Sequence, residues 1–342
     1  MSARAFIAGV SGLALTGEEH AFMRERRPWG FILFKRNVES PAQVAALAAE
    51  LRASVGRPDA PVLIDQEGGR VQRLGPPHWR RYPPGAVFGR LYDEETDAAL
   101  RAAWLSSRLI AADLDELRIN VDCLPLADVP VPGSDAVIGD RAYGTDPQKV
   151  AQIARAVTEG LVDGGVLPIL KHIPGHGRAT ADSHTRLPTV ETSRDELART
   201  DFAAFRPLAD LPMAMTAHVV FSALDAAQPA TTSATIINEV IRGAIGFQGL
   251  LMSDDVSMNA LSGSIAERTA AIVAAGCDMV LHCNGKMDEM RAVAANTPEL
   301  AGEALARAER ALASRKPPKP FDRAGARDEL DALIARAGRL IA

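Results

Sequence analysis

The 342-residue sequence predicts an α/β fold, a single (β/α)8 TIM-type barrel with a C-terminal helical tail. Three observations lead there. Eight short apolar runs alternate with longer amphipathic stretches along the chain. The runs lack strict alternation, as strands buried on both faces do, and the repeated pattern implies parallel strands joined by right-handed crossovers. Nearly every run also ends in a polar or charged residue: Asp65, Asp122, Lys171, Thr216 followed by His218, Asp254 and His282. A barrel gathers such ends on one face. A doubly wound open sheet, which periodicity leaves open, would spread them along an edge.

The expected strands are 5–10, 31–34, 62–65, 119–122, 167–170, 214–216, 250–253 and 279–282. Helical patterns fall at 41–54, 96–117, 146–163, 193–208, 232–245 and 264–275. The apolar start, 5–15, has one basic residue ahead of it, two internal glycines and no small-residue cleavage site before Glu18 and Glu19. It therefore reads as a first strand rather than the core of a signal peptide. The Pro- and Gly-rich segment 75–90 is expected to loop over the strand ends. Lys316-Pro-Pro-Lys-Pro320 breaks the chain before a last amphipathic helix, 323–340. The barrel is thus expected over 1–315, and a linker with a helix packed on it over 316–342.

Composition excludes several classes. A net charge of −5, with no block of Lys or Arg, argues against nucleic-acid or anionic-membrane partners. Three cysteines without CxxC spacing make neither a disulfide framework nor a structural zinc site. Free thiols fit a reducing compartment, and no apolar run is long enough to cross a bilayer. A soluble, cytoplasmic, monomeric protein is expected.

The chemistry concentrates at 170–185, LKHIPGHGRATADSHT, where a strand opens into a loop holding three of the seven histidines. Strand ends that open into such loops carry function in barrel enzymes. Asp182, two residues before His184, can hold one ring nitrogen and favour the imidazolium, leaving the other nitrogen to move a proton. His172 and His176 are four apart, but Pro174 and Gly175 keep them off one helix face, so a metal pair is the weaker reading. Gly175 and Gly177 suggest that the loop swings in when substrate binds. In Leu63-Ile-Asp-Gln-Glu-Gly-Gly-Arg-Val-Gln-Arg73, a carboxylate beside Arg70 and Arg73 suits the vicinal hydroxyls of a sugar. A structural ion pair at the rim explains it equally well. Of Asp254 and Asp255, strand alternation lets only one face the mouth, as nucleophile, base or metal ligand. His218 and His282 read as rim residues satisfied by their neighbours.

Taken together, KHIPGHGRATADSH resembles the KH(F/I)PGHG…DSH signature of glycoside hydrolase family 3. LIDQEGGRVQR, IGDRAYG and GLLMSDDVSM resemble companion motifs of its single-domain bacterial β-N-acetylhexosaminidase branch. The likeness starts with SGLALTGEE and WGFILFKRNVES and runs to about Ala275. It implies a (β/α)8-type barrel with Asp254 as nucleophile and His184 as an unusual acid/base, Asp182 being its partner. It also implies that Asp65, Arg73, Arg141, Lys171 and His172 hold the sugar. Arg178 departs from the pattern, since relatives often carry Asp after PGHG; altered loop contacts are expected there.

The expected activity is exo-acting, retaining removal of terminal N-acetylglucosamine from peptidoglycan fragments, N-acetylglucosaminyl-1,6-anhydro-N-acetylmuramic acid with or without peptide. No metal and no organic cofactor are expected. The alternatives are a glycoside phosphorylase of the same family, a metal-dependent barrel hydrolase using His172, His176, His184 and Asp254, and a sugar-binding protein without turnover.

Overall fold

The structure is a computed structural model and describes residues 3–183 and 186–339. Its central sheet is wholly parallel. We number the barrel strands β1 (Arg4–Gly9), β2 (Pro28–Leu33), β3 (Val62–Ile64), β4 (Val121–Asp122), β5, β6 (Met213–Thr216), β7 (Leu250–Asp255) and β8 (Met279–His282). Strand β5 has two pieces, Leu167–Pro168 and Leu170–Ile173, which are the two ends of the sheet order. The first piece pairs with β4 and the second with β6, while β8 pairs with β1. Between the pieces, Ile169 N–H donates to the Asp122 and Leu124 carbonyls. The sheet therefore closes through β5, as a barrel.

The strands are apolar on both faces because both faces are covered. Phe6, Ala8, Phe31, Leu33, Val62 and Ile64 point outward into the layer beneath the helices. Ile7, Ile32, Leu63, Cys123, Ile169, Met215, Met252 and Leu281 fill the barrel interior. That alternation is the period of two expected of a strand, and it leaves a packed core rather than a pore.

Local signals set the helix limits. Pro41–Val55 starts behind the Ser40 cap with Pro41 in its first turn and stops at left-handed Gly56. Gly17–Arg26 opens with a Thr16–Glu19 capping box, and Glu19 also accepts the Ser11 N–H, which pins the loop after β1. Four α-helices among the described residues lie outside the sequence expectation: Gly17–Arg26, Gly85–Glu94, Met287–Asn296 and Gly302–Ala313.

The segment 75–90 is not all loop. Its last residues begin a helix, Gly85–Glu94, which buries Phe88 and Leu91. A Cβ on Gly89 would lie 1.9 Å from the Tyr143 carbonyl oxygen, so the glycines that suggest a loop instead let this helix press on neighbouring backbone. The single helix expected over 193–208 breaks into Arg194–Arg199, Asp201–Phe205 and a last turn, Arg206–Leu208, because Thr200 leaves helical geometry. The helix expected over 232–245 starts later and winds as a π-helix, Ile236–Ile245.

Beyond the prolines, Arg323–Arg339 packs on Thr96–Glu116 and Gly85–Glu94. Leu330 is buried there, Arg101 pairs in a fork with Glu329, and Arg323 reaches Asp113 and Glu116. No helix among the described residues is long and apolar enough to cross a membrane.

Candidate active site

The C-terminal ends of the strands surround a cavity of about 450 Å³. Asp65, Arg73, Arg141, Lys171, His172, Asp182 and Asp254 all line it, so the candidate residues from four stretches of sequence meet at one place. His184 lies outside the described residues.

One wall is a chain of alternating charges. Arg73 donates to Asp65 Oδ2 at 2.8 Å, and Lys171 Nζ lies 3.1 Å from Asp65 Oδ1 and 2.7 Å from Glu67 Oε1. Glu67 in turn takes a two-pronged bond from Arg141, at 2.9 and 2.8 Å. Burial alone would raise both carboxyls, but the cations outweigh it and hold each below its ordinary range. Burial likewise opposes the Lys171 charge, and Glu67 and Asp65 outweigh it, keeping the ammonium protonated. The hairpin that carries Glu67, Gln66–Gly68 against Val71–Gln72 with Asp65 and Arg73 at its ends, is set by Gln66. Its side-chain oxygen accepts from the N–H groups of Arg73 and Leu74, and its own N–H donates to Asp122.

A second carboxylate organises the histidine loop. Asp128 is fully buried just beyond β4, and its Oδ2 lies 2.7 Å from His172 Nδ1. Its Oδ1 accepts the His176 N–H at 2.7 Å. Burial works against the charged carboxylate, but His172 outweighs it and holds the group at about 2. His176 is pushed down to about 4 by burial and then by His172, so its imidazole is neutral near pH 7. Its Nε2 lies 3.0 Å from Ser183 Oγ. Gly177 packs where a Cβ would sit 2.2 Å from the Val129 carbonyl carbon and oxygen. Close packing thus accounts for this glycine without a hinge.

Strand β7 carries both aspartates to the cavity, against the expectation that only one would reach it. The register slips between Met252 and Asp255 along β8, and such a bulge breaks the alternation of side chains. The two differ in surroundings. Asp255 accepts from the Ser257 N–H and hydroxyl and from the Cys283 N–H. Asp254 Oδ1 takes the N–H of Asp255 at 2.8 Å, which orients its carboxylate. His218 is buried between the Thr231 hydroxyl and the Asp255 carbonyl, and His282 faces Glu289.

Arg70 stands at the rim, where it holds Asp140 and the carbonyls of Ala136, Val137 and Ile138. Arg178 points away from the cavity chemistry and pairs with buried Asp201 at 2.6 Å, and with Glu196 and Thr200. Glu67 and Asp128 are the two site residues that sequence reasoning missed.

The model of the glycosyl hydrolase family 3 N-terminal domain matches residues 13–312. The chain belongs to glycosyl hydrolase family 3. It is a glycosidase by that membership. A β-hexosaminidase of Methylobacillus flagellatus is 39% identical over 289 residues, covering 83% of this chain and 82% of that protein. Among solved structures, NagZ from Neisseria gonorrhoeae in complex with N-trifluoroacetyl-D-glucosamine superimposes with a TM-score of 0.85 at 31% identity, covering 100% of this chain and 99% of that one. A family 3 β-N-acetylglucosaminidase from Paenibacillus sp. str. FPU-7 gives 0.83 at 30% identity, covering 97% of this chain and 66% of that one. The family 3 barrel is therefore shared nearly end to end with the gonococcal protein.

Proposed function

We propose that this family 3 glycosidase is an exo-acting, retaining β-N-acetylglucosaminidase that acts on peptidoglycan fragments. The observation that carries the reading is the shared cavity, which Asp254 and Asp182 line together with His172 and with Asp65, Arg73, Lys171 and Arg141, the last two held by Glu67. Paired carboxylates and cations of that kind match the donors and acceptors of sugar hydroxyls. The names of the β-hexosaminidase and β-N-acetylglucosaminidase relatives support an N-acetylated sugar.

In this reading the Asp254 carboxylate attacks the anomeric carbon. The glycosidic C–O bond breaks, and the leaving oxygen takes its proton from the His184 imidazolium. Neutral His184 then removes a proton from water, the hydroxide attacks the same carbon, and the Asp254 ester is released with net retention. Most retaining glycosidases use a second carboxyl group for that proton. An imidazole, titrating near 6.5 when unperturbed, serves both steps near neutral pH. Asp182 favours the cation needed for the first. The hydrolysed fragments are proposed to be N-acetylglucosaminyl-1,6-anhydro-N-acetylmuramic acid, with or without peptide.

The test uses 4-nitrophenyl β-N-acetylglucosaminide in metal-free, phosphate-free buffer. Wild type is expected to turn over, Asp254→Ala to be inactive, and His184→Ala to keep part of its rate, because nitrophenolate departs without a proton. A wild type silent until phosphate is added, and then yielding the sugar 1-phosphate, would replace hydrolysis by phosphorolysis. The natural substrate is checked by release of N-acetylglucosamine from purified anhydro-muropeptides.

A further inference from the structure

We propose that Ser183 and His176 form a positioning pair that anchors the chain immediately ahead of His184, with Asp128 as its fixed base. The proposal rests on the reading of His184 as acid/base.

Ser183 is 2% exposed and is held at two points. Its Oγ lies 3.0 Å from His176 Nε2, and its carbonyl accepts the Ala260 N–H at 3.2 Å. Ala260 lies six residues past Asp254, so Ser183 ties the chain that leads to the acid/base to the loop that follows the nucleophile. His176 is itself immobilised, since its N–H bonds to Asp128 Oδ1 at 2.7 Å while Oδ2 of the same carboxylate holds His172. Ser183 is the residue next to His184 in the chain, so its anchoring is what the pair would supply to the acid/base.

The tautomer follows from burial. His176 Nδ1 is buried without a hydrogen-bond partner among the described residues. Leaving a lone pair there costs less than burying an unmatched N–H, so the proton sits on Nε2 and is donated to Ser183 Oγ. Neither residue lines the cavity around Asp254. Their common product is the position of residue 183.

The experiment compares kcat/KM for wild type, Ser183→Ala, His176→Gln, the double variant and His184→Ala on two β-N-acetylglucosaminides. The 4-nitrophenyl glycoside leaves without protonation and the 4-methoxyphenyl glycoside needs it. Loss of one anchoring hydrogen bond should cost Ser183→Ala about tenfold on the methoxyphenyl substrate and under about threefold on the nitrophenyl one. His176→Gln keeps an N–H donor and should fall between wild type and Ser183→Ala. The double variant should be no worse than the serine variant. Equal losses on both substrates, or wild-type rates throughout, while His184→Ala stays leaving-group dependent, would overturn the pair as a positioning device. Leaving-group-independent loss in His184→Ala would instead overturn the acid/base reading, and the proposal with it.

Discussion

Lys171 Nζ stands between two carboxylates, 2.7 Å from Glu67 and 3.1 Å from Asp65, and is itself only 2% exposed. Glu67 also carries Arg141, so one buried carboxylate balances two cations. Removing one partner of a buried pair leaves the other charge unmatched. Glu67→Gln should therefore lower stability by about 3 kcal/mol. Adding Lys171→Met should restore part of that loss, while sugar binding is lost with the ammonium. Urea unfolding of the two variants checks the stability terms, and KM on the nitrophenyl substrate checks the binding term.

Stability should also fall in acid, in two windows. The folded-state value of His176, about 4, lies below its ordinary 6.5, so the unfolded chain binds the proton first. Stability is then full above pH 6.5 and declines as pH falls toward 4, by up to about 3 kcal/mol. The Asp128 carboxyl, at about 2 against an ordinary 3.8, adds a further loss below pH 4 that continues to about 2. Chemical denaturation from pH 8 to 3.5 should show the first slope. His176→Gln should flatten it between 6.5 and 4, and an unchanged slope in that variant would remove His176 as its source.

Asp128→Asn tests the histidine loop from its base. The substitution keeps the shape but replaces a charged acceptor of the His172 ring and the His176 N–H. Hydrogen bonds to charged groups contribute about 1.5–3 kcal/mol, so kcat/KM should fall by roughly 10–100-fold. With Asp128 proposed both to orient His172 toward the sugar and to anchor the His176–Ser183 pair, both glycosides should lose activity and the methoxyphenyl one should lose more. An equal loss on the two leaving groups would separate Asp128 from the pair.

Much of this arrangement is legible in the sequence, and the gaps have physical causes. The strands are legible because burial on both faces makes them short apolar runs, and the polar residues that end them mark the mouth. Asp128 is hidden because it lies in a proline-broken apolar stretch, Cys123–Val131, that shows no strand or helix period of its own. Its extension is held by Leu126 bridging to Lys171 and by Ala127 donating to the Lys171 carbonyl. Glu67 is hidden in plain view, within the motif that contains Asp65. Its signal is charge balance: Arg73, Arg141 and Lys171 cannot all be satisfied by Asp65, and buried charges are paired. The reach of both aspartates into the cavity depends on a bulge in β7, which strict alternation does not encode. The helix at Gly85–Glu94 is disguised by glycines whose work is close packing against the 141–143 backbone.

Arg178, expected from the family motif to be a departure, has a partner in the structure. Its guanidinium lies 2.6 Å from Asp201, a carboxylate 1% exposed, and 3.1 Å from Glu196. Burial raises the Asp201 carboxyl, and the Arg178 bond works against that rise. Arg178→Asp, which installs the residue expected from the family motif, would set a carboxylate beside two others with no cation in place. The expected cost is about 3–5 kcal/mol, that of breaking a buried pair. Asp201→Asn in the same chain should recover a large part of it by removing the buried charge. Activity at a temperature where the variant stays folded should change far less than stability, since Arg178 does not line the cavity around Asp254. Thermal unfolding alongside kcat/KM separates the two effects, and a variant as stable as wild type would mean that Asp201 is already protonated and needs no counter-ion.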